Sequence, residues 1–198
     1  MKLYYFADGC SLATHIAMRE AGMEFEIEEV DVQTRLTGSG RPFPEINDKG
    51  YVPALVFDDG SMLTENVALL DWAAQQSDAL RPEDGMARTR QIEALTFVST
   101  EIHRPFLFLF FFVGEAEKPV ISGMIAGRFA HLAGRLAGDY LLDDHFSVAD
   151  AFLYVMLRWA KMSKMEVSDR FTPYVERIEA RPAVQAALRA ERLKAIGA

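Results

Sequence analysis

Five groups of residues in this chain are of types that could do chemistry. Cys10 follows a strand-like run and stands where a helix begins. Unsatisfied amides and the helix dipole favour a thiolate at such a place, while a small buried hydrophobe is the other use of a cysteine there. Redox work needs a second sulfur; the chain has one cysteine, so that sulfur would come from a small-molecule thiol. Tyr51-Val52-Pro53-Ala54 sets a proline at the head of a strand. If the Val52–Pro53 bond is cis, the Val52 amide and carbonyl face outward like a short edge awaiting a peptide; if trans, the proline only starts the strand. Thr64-Glu65-Asn66 gathers a hydroxyl, a carboxylate and an amide at a helix N-terminus, where free amides take a carboxylate and Glu65 takes an ammonium. An α-amino acid head offers both, although capping by Thr64 or Asn66 is the plainer use. His103-Arg104 pairs a group that moves protons near neutral pH with a cation, or is a histidine hydrogen-bonded in a domain interface. Phe106, Phe108 and Phe110–Phe112 surround this last site, more phenylalanines than one helix face buries, so some wall a pocket or an interface.

The elements that must position these residues fall into two halves. Leu3–Phe6 reads as a buried strand, Ser11 onward as a one-faced helix ending near Gly22, and Phe25–Asp31 as a second strand, a βαβ unit. After the Thr37–Pro44 loop, Ala54–Phe57 and Ser61–Leu63 form a hairpin about Asp58-Asp59-Gly60, and Glu65–Gln76 is helical. Ser77–Gly85 is a polar connector, and beyond it nearly everything has helical period. Pro105 must kink or end the long helix that carries Ile92 to Val113. Ser147-Val-Ala-Asp150 opens a helix, Val148–Trp159, with only Asp150 and Arg158 charged, which marks the centre of a bundle. Arg170–Ala180 and Pro182–Lys194 are amphipathic. The organisation is a small α/β domain, residues 1–77, followed by an all-helical domain, residues 86–198.

Composition removes other classes. A net charge of −8 opposes a general nucleic-acid face. The longest strongly apolar run, Phe106–Val113, is far short of the ~20 residues of a membrane span. A lone cysteine excludes an internal disulfide and a cysteine-rich zinc site, and His15, His131 and His145 have no partners at metal spacing, so no metal is expected. The N-terminus lacks the pattern of a signal peptide, which gives a cytoplasmic address.

Taken together, these segments resemble the glutathione S-transferases, most closely the bacterial beta class, over nearly the whole chain. The resemblance rests on Gly9-Cys10-Ser11-Leu12-Ala13-x-His15, Asn47-x-Lys49-Gly50-x-Val52-Pro53-Ala54-Leu55, Leu63-Thr64-Glu65, Thr100-Glu101-x-His103, Phe146–Ala151 and Arg181-Pro182. It implies a thioredoxin-like N-terminal domain, an all-α C-terminal domain supplying an apolar substrate pocket, a homodimer, and glutathione as co-substrate. The implied activity is conjugation of glutathione to small apolar electrophiles in detoxification, with thiol–disulfide reduction through Cys10 beside it. The alternative is a non-catalytic transferase-fold protein that binds apolar ligands. Cys10, Ser11 and His103 are then the catalytic candidates and Pro53 a cis proline. Val52 would hold the cysteinyl main chain of glutathione, Glu65 and Asn66 its γ-glutamyl end, and Arg35, Lys49 and Arg104 its glycyl carboxylate. The chain departs from the class at Ala7-Asp8-Gly9, Tyr51, Asn66, Thr96 and Arg104. Asp8 places a carboxylate near Cys10; it and burial are expected to raise the thiol pKa, against the helix terminus, which lowers it.

Overall fold

The structure is a computed structural model, and it describes residues 1–136 and 138–197. Leu3, Tyr4 and Tyr5 have no polar residue between them, and they fold as a strand covered on both faces, β1 (Lys2–Tyr5). Helix α1 (Ser11–Glu20) crosses over, buried from Ser11 to Met18, and β2 (Glu26–Glu29) pairs parallel with β1. Strand β3 (Ala54–Val56) lies antiparallel on the other side of β1, and β4 (Met62–Thr64) antiparallel to β3. The order is β2-β1-β3-β4, and α2 (Asn66–Gln75) follows.

Strand β2 is shorter than the run Phe25–Asp31 suggests, because β1 offers only four partners; Val30 goes on to an isolated bridge with Thr37. Strand β4 starts one residue late because Ser61 stays in the turn, its amide and hydroxyl donating to Asp59 Oδ1.

The helical half comprises α3 (Gly85–Phe97), α4 (Arg104–Phe111), α5 (Lys118–Arg135), α6 (Val148–Met162), α7 (Phe171–Glu179) and α8 (Pro182–Ala190). Helices α3 and α4 form one run, joined by a π turn over Val98–His103. Pro105 has no N–H to give the Glu101 carbonyl, and the helix widens in the turn before it instead of breaking. Helix α6 is buried from Val148 to Ala160. At its start Asp150 accepts four hydrogen bonds, from the Ser147 amide and hydroxyl (2.8 and 2.7 Å), the Leu141 amide (2.7 Å) and the Tyr174 hydroxyl (2.8 Å).

One apolar core runs through both halves, from Leu3 and Leu12 to Phe152 and Leu188. Helix α1 touches α2, α6 and α8, and Arg181 ahead of α8 forks onto Glu20 of α1 at 2.6 and 2.8 Å.

Candidate active site

The two halves leave a cleft of about 800 Å³ between them. One side is built from the α1 start, the Val52–Pro53 turn and the α2 start; the other from the π turn, α4 and the end of α6.

Cys10 sits in this cleft at the N-cap of α1, only partly exposed, its Sγ 3.7 Å from the Val52 carbonyl. The turn before it is tight: the Gly9 amide donates to the Phe6 carbonyl at 2.9 Å, and a Cβ on Gly9 would stand 2.9 Å from that same oxygen. Burial pushes the Cys10 thiol up to about 12, with a smaller push from the Glu65 carboxylate. The direction matches the sequence expectation, and of the two causes expected to raise it burial acts while the Asp8 carboxylate does not. The Asp8 carboxylate is neutralised by Arg158, whose Nε and Nη2 reach it at 2.6 and 3.1 Å.

Ser11 does not reach the cleft. It is fully buried, and its hydroxyl donates to the Phe6 carbonyl (3.2 Å) and accepts from the Phe6 amide (3.1 Å), tying the end of β1 to the start of α1. Its expected role beside Cys10 finds no geometric support here.

The Val52–Pro53 peptide is cis. Val52 is half-buried in the cleft wall, and its amide has no partner among the described residues. Glu65, and not Thr64 or Asn66, occupies the N-cap of α2, at φ 72° and ψ 118° and with no side-chain cap bond. L-residues rarely hold such a φ, and where they do the surroundings impose it. Here the Glu65 carboxylate accepts from Lys49 Nζ at 2.6 Å and from the Tyr51 hydroxyl at 2.8 Å, which lowers its pKa. Asn66 is 8% exposed; its Oδ1 accepts from the Thr14 hydroxyl at 2.6 Å and its Nδ2 is unpartnered among the described residues.

The cations divide. Lys49 is spent on Glu65 and on the Thr64 hydroxyl (2.9 Å), so it belongs with the carboxylate at the α2 start and not with the cleft wall. Arg35 lines the cleft with Nη2 on the Gly50 carbonyl at 3.2 Å. A Cβ on Gly50 would push that flexible guanidinium aside, and the Gly50 φ of +72° is the left-handed backbone that favours glycine there. Arg104 also lines the cleft, its guanidinium 5.3 Å from the Phe108 ring centroid.

His103 comes from the π turn and lies against Phe152 and Trp159, centroids 5.5 and 5.3 Å away. Its Nε2 has no partner among the described residues, and burial, with Arg104 adding to it, pushes its pKa down to about 4. The imidazole is therefore neutral at pH 7, a weak base, and able to hydrogen-bond a ligand through Nε2. The phenylalanine cluster splits by role: Phe106 is core, Phe110 and Phe111 wall the cleft with Leu107, and Phe112 is 70% exposed.

Cys10, Arg35, Val52, Pro53, Glu65, Asn66, His103 and Arg104 thus meet around one cleft, and Ser11 and Lys49 stand behind it. Sequence reasoning did not name Tyr51, Trp159 or Met162 as site residues. Tyr51 alone had a local signal, a hydroxyl two residues before the proline; the other two come from a helix more than a hundred residues away.

A four-stranded thioredoxin-like sheet with a cysteine at its first helix, joined to a helical bundle across a cleft, defines a thiol-handling transferase fold. The model of the glutathione S-transferase N-terminal domain matches residues 9–76, and that of the C-terminal domain residues 125–190. The glutathione S-transferase GstA of Escherichia coli O157:H7 is 35% identical over 98% of this chain and 100% of its own length. Two solved structures, a ternary complex of BphK, a bacterial glutathione S-transferase, and a sphingomonad glutathione S-transferase complexed with glutathione, superpose with TM-scores of 0.92 and 0.89. Each is 38% identical and covers 98% of this chain and 100% of its own. The chain belongs to the glutathione S-transferase family.

Proposed function

We propose that the cleft binds glutathione and transfers it to a small apolar electrophile. The observation that carries this reading is the meeting, in one cleft, of Cys10, the unpaired Val52 amide and the Glu65 carboxylate at the start of α2. The cysteinyl main chain of glutathione pairs with Val52. Its γ-glutamyl ammonium goes to Glu65 and its α-carboxylate to Asn66, whose Nδ2 lacks a partner among the described residues. Arg35 and Arg104 take the glycyl carboxylate, offsetting locally a chain of net charge −8. Lys49 holds Glu65 rather than the ligand.

The neutral His103 hydrogen-bonds the glutathione sulfur through Nε2, the thiol proton leaves to solvent, and the thiolate sulfur attacks the electrophilic carbon as the leaving group departs with the electron pair of its bond. Residues 1–77 form the glutathione half and residues 86–198 supply the apolar wall, where Phe110, Phe111 and Trp159 suit a flat hydrophobic body. This is detoxification chemistry. It belongs in the cytoplasm, where glutathione and a lone free cysteine both stay reduced.

Disulfide reduction is a second use of the same cleft: the Cys10 sulfur attacks a glutathione mixed disulfide, releases the other thiol, and is freed by a second glutathione, which leaves as oxidised glutathione. The raised thiol pKa makes this step slow at neutral pH.

The working unit is a homodimer, the first half of one subunit against the second half of its partner, with the α2 face carrying Trp72, packed on Phe57 at 5.2 Å, as the contact. Light scattering at micromolar concentration is expected to give twice 22.2 kDa, and a clean monomer rejects the dimer.

Calorimetry with reduced glutathione, beside conjugation of a chloro-nitrobenzene and reduction of hydroxyethyl disulfide, tests the rest. Binding with conjugation supports the proposal. Binding of apolar ligands with neither activity makes the chain a carrier, and no glutathione binding at millimolar concentration overturns it.

A further inference from the structure

Asp8 stands in the left-handed region, at φ 58°, two residues before Cys10. An aspartate tolerates that conformation better than most residues, yet glycine would hold it at lower cost. What the side chain gives in return is visible across the domain boundary. Every polar group of Asp8 is bound by the helical half. Its carboxylate takes the Arg158 fork at 2.6 and 3.1 Å, its carbonyl accepts from Trp159 Nε1 at 2.7 Å, and its amide donates to Glu191 Oε2 at 3.3 Å.

Arg158 is itself held. Its side chain is 4% exposed, and its Nη1 donates to the Tyr154 hydroxyl (3.2 Å) and to the Lys194 carbonyl (2.8 Å). Tyr154 donates to Glu179 at 2.6 Å, and Glu179 accepts the Ile196 and Gly197 amides at 2.6 and 2.8 Å. The last turn of the chain is thereby strapped to the same arginine that grips the turn before Cys10.

We propose that Asp8 is a positioning residue: locked on Arg158, it fixes the turn that sets the Cys10 sulfur against the Val52 carbonyl, and it ties that turn to the C-terminal segment. The Gly9 turn has no slack, since its amide and its missing Cβ both lie on the Phe6 carbonyl. A shift at Asp8 therefore passes to Cys10. The groups assigned to the two ends of glutathione, Glu65, Asn66, Arg35 and Arg104, share no hydrogen bond with Asp8 or Arg158 among the described residues, so its grip on the protein is left alone. A fork is needed, because a lysine ammonium is a point charge and cannot meet both carboxylate oxygens in a fixed plane.

The proposal rests on Cys10 lying at the reacting end of the cleft, and its test has an arm independent of that. Asp8→Gly keeps the backbone conformation and removes the fork; Arg158→Lys keeps the charge and removes the geometry; Asp8→Asn keeps the shape and one acceptor. Alkylation of Cys10 by iodoacetamide, followed by intact mass, reads the sulfur directly. It is expected to run severalfold faster in Asp8→Gly and in Arg158→Lys, and the double variant is expected to be no faster than either, because one interaction is lost in all three. With glutathione and hydroxyethyl disulfide, the reaction that runs through the Cys10 sulfur, kcat is expected to fall by about tenfold while the glutathione Kd stays within twofold. Asp8→Asn is expected to lie between, a partial rescue that a bulk loss of stability does not produce. Wild-type alkylation rates and kcat in Asp8→Gly overturn the proposal, and so does a lowered melting temperature with kcat unchanged, which makes the pair purely structural. If Cys10→Ala reduces the disulfide and binds glutathione as the wild type does, the reading of Cys10 fails, while the alkylation arm still decides whether Asp8 positions it.

Discussion

Glu65 concentrates the chemistry of one residue: an unusual backbone angle, a place at the start of α2, and a carboxylate shared by Lys49 and Tyr51. A ligand ammonium arriving there meets an acceptor already ionised and already held, so little has to reorganise on binding. Glu65→Gln keeps the shape and removes the charge. Losing a charge-assisted hydrogen bond is worth about 1.5–3 kcal/mol, so the glutathione Kd is expected to rise about ten- to a hundredfold. Calorimetry at pH 7 reads it, and a Kd within twofold of the wild type removes Glu65 from the ammonium site. Cys10, Val52 and Glu65 were legible in the sequence because each is marked by its immediate neighbours: a strand end, a following proline, a helix start. The occupied hydroxyl of Ser11 and the ion pair of Lys49 were not, because their partners are set by tertiary folding: Phe6 across a turn, Glu65 across sixteen positions.

At the scale of elements, the capping of α6 was readable as Ser147-x-x-Asp150, but its extent was not. Asp150 accepts two further bonds, from Leu141 and Tyr174, and so welds the α6 start to the preceding loop and to α7. Asp150→Ala strands four buried donors, two of them main-chain amides. Each such group left without a partner costs about 1–3 kcal/mol, so a loss of at least about 3 kcal/mol is expected in urea unfolding, with Asp150→Asn losing less. A loss under 1 kcal/mol would show that the loop repairs itself. Pro105 shows the converse limit. Its missing N–H foretold a disturbance in the long helix, and a kink or an end were the natural forms; the π turn is a third solution, and it carries His103 into the cleft wall. Periodicity fixes which residues face the core, but not how a helix absorbs a lost hydrogen bond.

For the whole molecule, the two halves share one core, so a group at their junction acts on the stability of both. His103 is such a group, enclosed by Phe152 and Trp159 with an unpartnered ring nitrogen and a pKa pushed down to about 4. In the unfolded chain the imidazole titrates near 6.5, so between about pH 6.5 and 4 the unfolded state binds the extra proton and the fold loses stability as pH falls. The slope from this one group approaches 1.4 kcal/mol per pH unit. His103→Phe keeps a ring in the aromatic nest and abolishes both the orphaned nitrogen and the titration. The variant is expected to be more stable than the wild type, by a margin that grows on the order of 2 kcal/mol from pH 7 to pH 5. It is also expected to lose conjugation, since no group remains in its place to hydrogen-bond the glutathione sulfur, a residue kept for chemistry at a cost to the fold. Urea midpoints at pH 5, 6 and 7, beside the conjugation rate, separate the alternatives. A margin that does not change with pH would mean His103 is not held neutral by burial, and full activity in the variant would move that hydrogen-bonding role elsewhere in the cleft.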